Sequence, residues 1–585
     1  MKKLVPMTVL VLTLACVAGA QDPLADALRR AEEHLKKGEY DASLKAADEA
    51  LGLNAESALA YILRGNAWDG KGEHDKAFGD FTRATEIDPG NPFGWIGRAG
   101  VHAARHDLEK AVWDYTRAIV IDPANAYARA RRGEIYVRMN QYALALDDMS
   151  KAVLLDPDSP AWRIGRAQVL IAVGENDRAM ADLEKAVLLD PKNPAVYHAR
   201  ATVLARRGDV EGALRDLDKT IALDPRSARA YADRAGIFAG RGDHAKALAD
   251  FSKAIALDPN SAETYYDRGV TYARREMYDE AIADYTRALE LDPKHVAARC
   301  SRSYALSDRG EFEKALADAD EAAKLDPRGV FPCVTRAFAH RMMGRYDEVL
   351  ADYDKAMALA PQRAQTWRSR GNLHQNYGHL DKALADYDKA VELSPKDPDG
   401  YIDRARLYAD RGDTTKAEED FAKALELDDK SDRLYSDRGR YYFDTGQLEK
   451  AVADYDKAVA LEPDEPYHRV RLYLARRRLG RPDAVGELVK LRVKLRPDRW
   501  ITQVVRMYLG EITPEMCLAA AEHANPKVRR DRQCEAHYYI AQLRLIQGDT
   551  TRAVEQFRKC VETDVKYFIE YHSSQTELKR LEKPK

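Results

Sequence analysis

The chain has almost no excess charge of either sign: 93 Lys and Arg stand against 96 Asp and Glu, a formal balance of −3. A face built for phosphate backbones needs a clear surplus of cations, so nucleic acid is not an expected partner. After the first twenty residues, no apolar run is long enough to cross a bilayer. Phe (12) and Trp (6) are scarce beside Tyr (31). Catalytic signatures are missing too: there is no glycine-rich phosphate loop, no G-x-S-x-G elbow and no H-E-x-x-H. No stretch is left over for a separate catalytic domain, so neither an enzyme nor a cofactor is expected. The fourteen histidines are scattered, and His102, His340 and His374 fall at packing positions.

Cysteine is rare as well. Of six, Cys16 lies in the N-terminal segment, which leaves Cys300, Cys333, Cys517, Cys534 and Cys560. Their spacings match no zinc pattern, and no metal site is expected. Cys534 begins one helix and Cys560 sits late on the next, antiparallel one, so a disulfide between them is one reading. Five small buried hydrophobes is the other.

The N-terminus reads MKKLVPMTVLVLTLACVAGAQD, two lysines followed by a short apolar stretch and small residues. This is the layout of a secretory signal over residues 1–20, with cleavage after Ala20. The expected location is therefore exported, periplasmic or secreted. An outer-membrane lipoprotein attached through Cys16 is the alternative, but Thr13 stands where such signals usually carry Leu.

What the chain has in abundance is repetition. RGNAWDGKGEHDKAFGDFTRATEIDP from Arg64 returns as RGVTYARREMYDEAIADYTRALELDP from Arg268 and RGRYYFDTGQLEKAVADYDKAVALEP from Arg438. Sixteen 34-residue units fit from Leu24 to about Tyr567 without insertion or deletion, the signature of stacked helical hairpins. In the unit from Ala58, residues 58–71 read as a first helix ended by Gly72. The second helix starts near Asp75 and is stopped by Pro89. A single hairpin cannot bury its own apolar stripe, so each must stack on a neighbour.

Tyr265, Gly269, Tyr272, Ala281, Tyr285, Ala288 and Pro293 carry the pattern most completely. In these residues the chain is similar to the tetratricopeptide repeat family. The resemblance implies an all-α fold, a right-handed α-solenoid of about sixteen helix-turn-helix units. Fourteen regular units occupy 24–498 and two divergent ones 499–567, followed by a polar-faced capping helix at 568–581 within 568–585. It implies a protein-binding scaffold, and the finish looks like that of bacterial envelope repeat proteins.

Arg replaces the family's leucine-like residue at the seventh place in twelve successive units, Arg64 to Arg438. Asp fills the twenty-third place in the same twelve, Asp80 to Asp454. Such strict co-occurrence suggests bridging, within a unit or to the next, that fixes the register of helix on helix.

The resemblance places ligands in the concave groove, lined by first helices. The candidate groove residues there are Arg368, Asn372, Asp399, Asp403, Asp410, Asp437, Arg440 and Asp444, a polar and largely acidic surface. One subtype grips a C-terminal carboxylate with Lys and Asn, but Asp403 and Asp437 would repel it. Proteins or peptide segments are the expected partners. The unit 466–499 reverses the sign with a basic patch of Arg469, Arg471, Arg476, Arg477, Arg478 and Arg481. It suits membrane or cell wall, or pairs with the acidic units before it; the oligomeric state stays open.

Overall fold

The computed structural model describes residues 22–582 apart from 482, 483, 496, 498, 524, 525 and 567. The expected signal segment, with Cys16, lies outside the described residues. Thirty-three helices follow one another, from α1 (Pro23–Lys36) to α33 (Ile569–Leu581), and no strand occurs among the described residues. They pair as helix-turn-helix units: the fold is an all-α solenoid. None of these helices is long and apolar enough to cross a membrane. The chain divides into two compact units between Thr271 and Tyr272, inside α15 (Ala262–Arg274), where the sequence repeat runs on unbroken.

In the first unit, α3 (Ala58–Gly70) and α4 (His74–Ile87) show how the hairpin is built. Ser57 caps α3 by accepting from the Ala60 amide, and Gly72 turns the chain with φ near +80°. The turn needs that left-handed conformation whatever residue is present: His106 and Asn140 adopt it in the neighbouring hairpins at φ 64° and 58°. Phe81 is buried between α3 and α5 (Pro92–Ala104). A Cβ on Gly97 would lie only 2.3 Å from its ring, so that close approach requires glycine.

Most hairpins are closed by an Arg and an Asp. In six hairpins of the first unit and five of the second, the guanidinium meets the carboxylate sixteen residues later with two parallel hydrogen bonds. Arg98 Nε and Nη2 donate to Asp114 at 2.9 and 2.8 Å. The third nitrogen, Nη1, reaches back to the preceding hairpin: Arg132 to Thr116, Arg234 to Asp218, Arg302 to Thr286, Arg404 to Asp388. The bridge is therefore within a unit and, more loosely, between units.

The aromatic at the fourth place covers this clamp. Trp95 lies 4.7 Å from the Arg98 guanidinium, and Tyr401 5.7 Å from that of Arg404. The same ring anchors its helix to the turn before it, Trp95 Nε1 donating to Pro89 O at 3.1 Å. Where Arg129, Arg163 and Arg299 replace the aromatic, they donate to Pro123, Pro157 and Pro293 O instead.

The second unit ends irregularly. α29 (Trp500–Tyr508) stops a turn early, because Gly510, at φ 74°, makes the left-handed turn four residues before the phase of the repeat places it. α30 (Pro514–Ala519) is short, and α31 (Pro526–Ile546) starts eight residues ahead of the repeat. Proline is tolerated in a first helical turn, so Pro526 starts that helix. α32 (Thr550–Glu562) completes the last hairpin, and a large core running from Phe443 to Tyr571 binds this end together.

Candidate functional site

The candidate groove residues lie on α21 (Ala364–Asn376), α23 (Pro398–Arg411) and α25 (Asp432–Asp444) of the second unit. Asp403 is fully buried. Arg368 Nε donates to it at 2.9 Å, Arg433 binds its other oxygen, and Arg406 lies 3.6 Å away. Arg368 and Arg433 also share Asp399, at 2.9 and 2.8 Å. Asp437 stands between Arg433, at 3.7 Å, and Arg406, at 4.0 Å. Three helices thus supply one lattice of alternating charge. Burial works to raise the Asp403 carboxyl, but Arg433, Arg406 and Arg368 together hold it below the usual carboxylate range.

Asn372 plays a different part. The Tyr387 hydroxyl lies 2.8 Å from both Asn372 Oδ1 and Gln375 Oε1, and Gln375 Nε2 donates to Asp410 at 2.8 Å. Asp410 pairs with Arg440 at 3.4 Å, and Arg440 continues to Asp444 at 3.7 Å. The surface read from sequence as largely acidic is therefore a mostly buried, neutralised network.

The last helix closes on it. Glu570, Ser573, Ser574 and Glu577 recur at i, i+3, i+4 and i+7 along α33, and all four are buried. Ser573 Oγ donates to Asp444 Oδ2 at 2.9 Å, Glu577 pairs with Arg478, and Glu570 accepts from the Tyr539 hydroxyl at 3.1 Å. The sequence predicts a polar-faced capping helix here. This polar face turns inward, because the helices beneath it present charged and hydroxyl partners. Burial pushes the Asp444 carboxyl up to about 7; Arg440 opposes and Glu577 adds to the shift. Burial beside Glu570 likewise raises Glu535, which accepts from Tyr467 and Trp500.

Four of the six arginines of the expected basic patch are engaged within the fold. On α27 (Pro466–Arg478), Arg469 does the turn-anchoring work seen in Arg129, donating to Pro463 O, and pairs with Glu487 at 2.6 Å. Arg471 donates to Ser436 at 2.8 Å, Arg476 to Asp456 at 2.6 Å, and Arg478 points at Gln542 and Glu577. Arg477 is half-buried and Arg481 alone of the six is exposed. Cys534 and Cys560 do meet, Sγ to Sγ at 3.4 Å, both fully buried. Sequence reasoning missed Arg406, although it stands at the same ninth place as Arg440. It also missed the carboxylates Glu535, Glu570 and Glu577. No group of three or more His, Cys, Asp or Glu is placed to hold a metal among the described residues.

Profiles described as tetratricopeptide repeat match residues 28–92, 136–203, 262–295, 364–397 and 402–466, and one described as TPR repeat matches 235–276. The chain belongs to the tetratricopeptide repeat family. Proteins with this repeat are generally protein-interaction scaffolds that bind protein or peptide partners, and the fold is typically non-catalytic. A relative within reach of its repeats is the lipoprotein NlpI homolog of Haemophilus influenzae, 31% identical over 119 residues. That match covers 20% of this chain and 38% of the relative, so the chain spans well under half of that protein's length. Among solved structures, the APC/C hetero-tetramer Cut9–Hcn1 is 14% identical and covers 78% of this chain and 97% of its own, with a TM-score of 0.43. Yeast Tom70 is 18% identical, covering 78% and 99%, with a TM-score of 0.40.

Proposed function

We propose that this tetratricopeptide repeat protein is a non-catalytic interaction scaffold of the bacterial cell envelope, binding protein segments on the inner faces of its first helices. The observation that carries the reading is that α25 and α27 already receive a helix of the chain itself through side-chain hydrogen bonds and an ion pair, Ser573–Asp444 and Glu577–Arg478. A stiff array that holds one helical segment by polar contacts has the surface needed to hold others, at small conformational cost. The exported setting rests on the N-terminal MKKLVPMTVLVLTLACVAGA and agrees with the lipoprotein named among its relatives. The second reading, an envelope or wall anchor acting through 466–499, has weaker support, since most of its arginines are engaged within the fold.

The groove residues divide by use. Asp403, Asp437 and Arg440 hold the lattice together, whereas Asp399 keeps an exposed edge beside Arg433. The test is a photo-activated cross-linker at position 399 of the full chain in living cells, with Leu154, exposed on a second helix, as the control position. Adducts to a small set of envelope proteins from position 399, absent from 154, support the scaffold. Adducts only to lipid or wall polymer, or identical products from both positions, overturn it.

A further inference from the structure

Among the described residues, the last hairpin differs from the others in carrying a cysteine on both of its helices. Cys560 occupies the place held by Ala84, Ala118 and Ala424 in regular hairpins, each fully buried where the two helices come close. Cys534 faces it from α31, twenty-six residues earlier, and the two Sγ atoms are already in contact. Above them runs the first turn of α33: Cys560 Sγ donates to Glu570 O at 3.6 Å. Cys300, Cys333 and Cys517 are also buried, but no second sulfur contact is found among the described residues.

We propose that Cys534 and Cys560 are a disulfide site, closed by exchange with a small-molecule or protein disulfide while the chain folds. A thiolate of one cysteine attacks a sulfur of the oxidant RS–SR and expels RS⁻, leaving a mixed disulfide. The second cysteine's thiolate then attacks the protein sulfur of that mixed disulfide. The Cys534–Cys560 bond forms and a second RS⁻ departs. Both cysteine sulfurs are oxidised, RS–SR is reduced, and the two cysteine protons end on two RSH. The sulfurs need only close from 3.4 Å to a bond of about 2.05 Å, within reach of small side-chain rotations.

The order of events follows from burial. Neither sulfur is accessible once α33 is in place, and the hydrogen bond between them together with burial pushes the Cys534 thiol up, away from the reactive thiolate. The exchange therefore belongs to the open hairpin. Its two cysteines are near in sequence and meet before the C-terminal helix lands. The bond then staples α31 to α32 beneath the helix that covers it.

The test uses the full chain, unfolded and reduced, then refolded in mixed oxidised and reduced glutathione. It is next denatured without reductant in N-ethylmaleimide, and the peptides are mapped by mass spectrometry. The expected result is a linked Cys534–Cys560 pair, unlabelled and lighter by two hydrogen atoms, with Cys300, Cys333 and Cys517 labelled. Protein folded reduced and then given the same glutathione mixture should keep both cysteines labelled many-fold longer. Labelling of both after oxidative refolding overturns the site. Linkage of either to Cys517 overturns the pairing. Equal closure rates in folded and refolding protein overturn the proposed order. Because the wild-type chain decides each outcome, the result does not depend on a Cys534→Ser variant folding.

Discussion

In eleven hairpins from that of α3 and α4 to that ending at Leu461, an arginine and an aspartate close the repeat; one hairpin after Leu461, the same two places hold Leu472 and Leu488. Both leucines are buried, and both belong to the large C-terminal core. One architecture thus uses an ionic clamp and an apolar pair interchangeably at the same position. A buried ion pair contributes little net stability over well-packed hydrophobes, because desolvation offsets most of its attraction. What the clamp adds is direction: two parallel hydrogen bonds permit one register of helix on helix.

The largest effect expected from this comparison is in a half-removed clamp. Asp148→Ala leaves the Arg132 guanidinium without its carboxylate and should destabilise by about 3–5 kcal/mol. Arg132→Leu with Asp148→Leu, which imitates Leu472 and Leu488, should return to within ~1 kcal/mol of wild type. Urea denaturation of the three proteins checks both. A double variant as unstable as the single one would mean that the two solutions are not interchangeable.

The two charged interiors of the second unit should answer pH in opposite directions. Asp403 and Asp410 are held low, Asp403 by its three arginines and Asp410 by Arg440, His572 and Arg406 against burial. Their contribution is present above the ordinary carboxylate range and is lost as pH falls through their depressed values. Asp444 is raised to about 7, so its folded form holds a proton that the unfolded chain releases. Its contribution is complete below the ordinary carboxylate value and is lost as pH rises through 7, with a slope of about 1.4 kcal/mol per pH unit in between. Amide exchange in α33, corrected for intrinsic rates, should therefore be slower at pH 5 than at pH 8, and Asp444→Asn should flatten the difference.

The smallest effect concerns the turns. His106 adopts the left-handed conformation at a place where twelve of sixteen hairpins have glycine. His106→Gly should stabilise its hairpin by roughly 0.5–1 kcal/mol, less whatever its contact with Arg138 contributes. Thermal unfolding resolves a change of that size.

Most of the fold could be read from the chain because the residues that build a hairpin recur at fixed places, each reporting a local cause. Gly72 reports a left-handed turn, Pro89 a helix end, and Ala77 with Ala84 a close approach. The shortened α29 escaped because the 34-residue phase pointed to Pro514, while the glycine that turns the chain stood at 510. The site was legible by place and not by environment. Arg368, Asp403 and Arg433 were identifiable as inner-face residues, yet their burial depends on three side chains from three helices, which no single unit encodes. α33 did announce itself: Glu570, Ser573, Ser574 and Glu577 sit at the spacing of a buried stripe. Polar residues at that spacing are easily taken for a solvated face.

The clamp also bears on how such a chain changes length. In the eleven observed clamps the guanidinium satisfies its carboxylate inside its own 34 residues, and only Nη1 looks to the previous hairpin, where Asp or Thr serves equally. Copying or excising a whole unit therefore strands no clamp charge at the junction, although it would break the Arg368–Asp403–Arg433 lattice, which spans hairpins. Had the pairs joined neighbouring hairpins, every array would have ended on an orphan. In the clamped hairpins outside that lattice, repeat number is thus free to drift by recombination, with the clamp indifferent to the count.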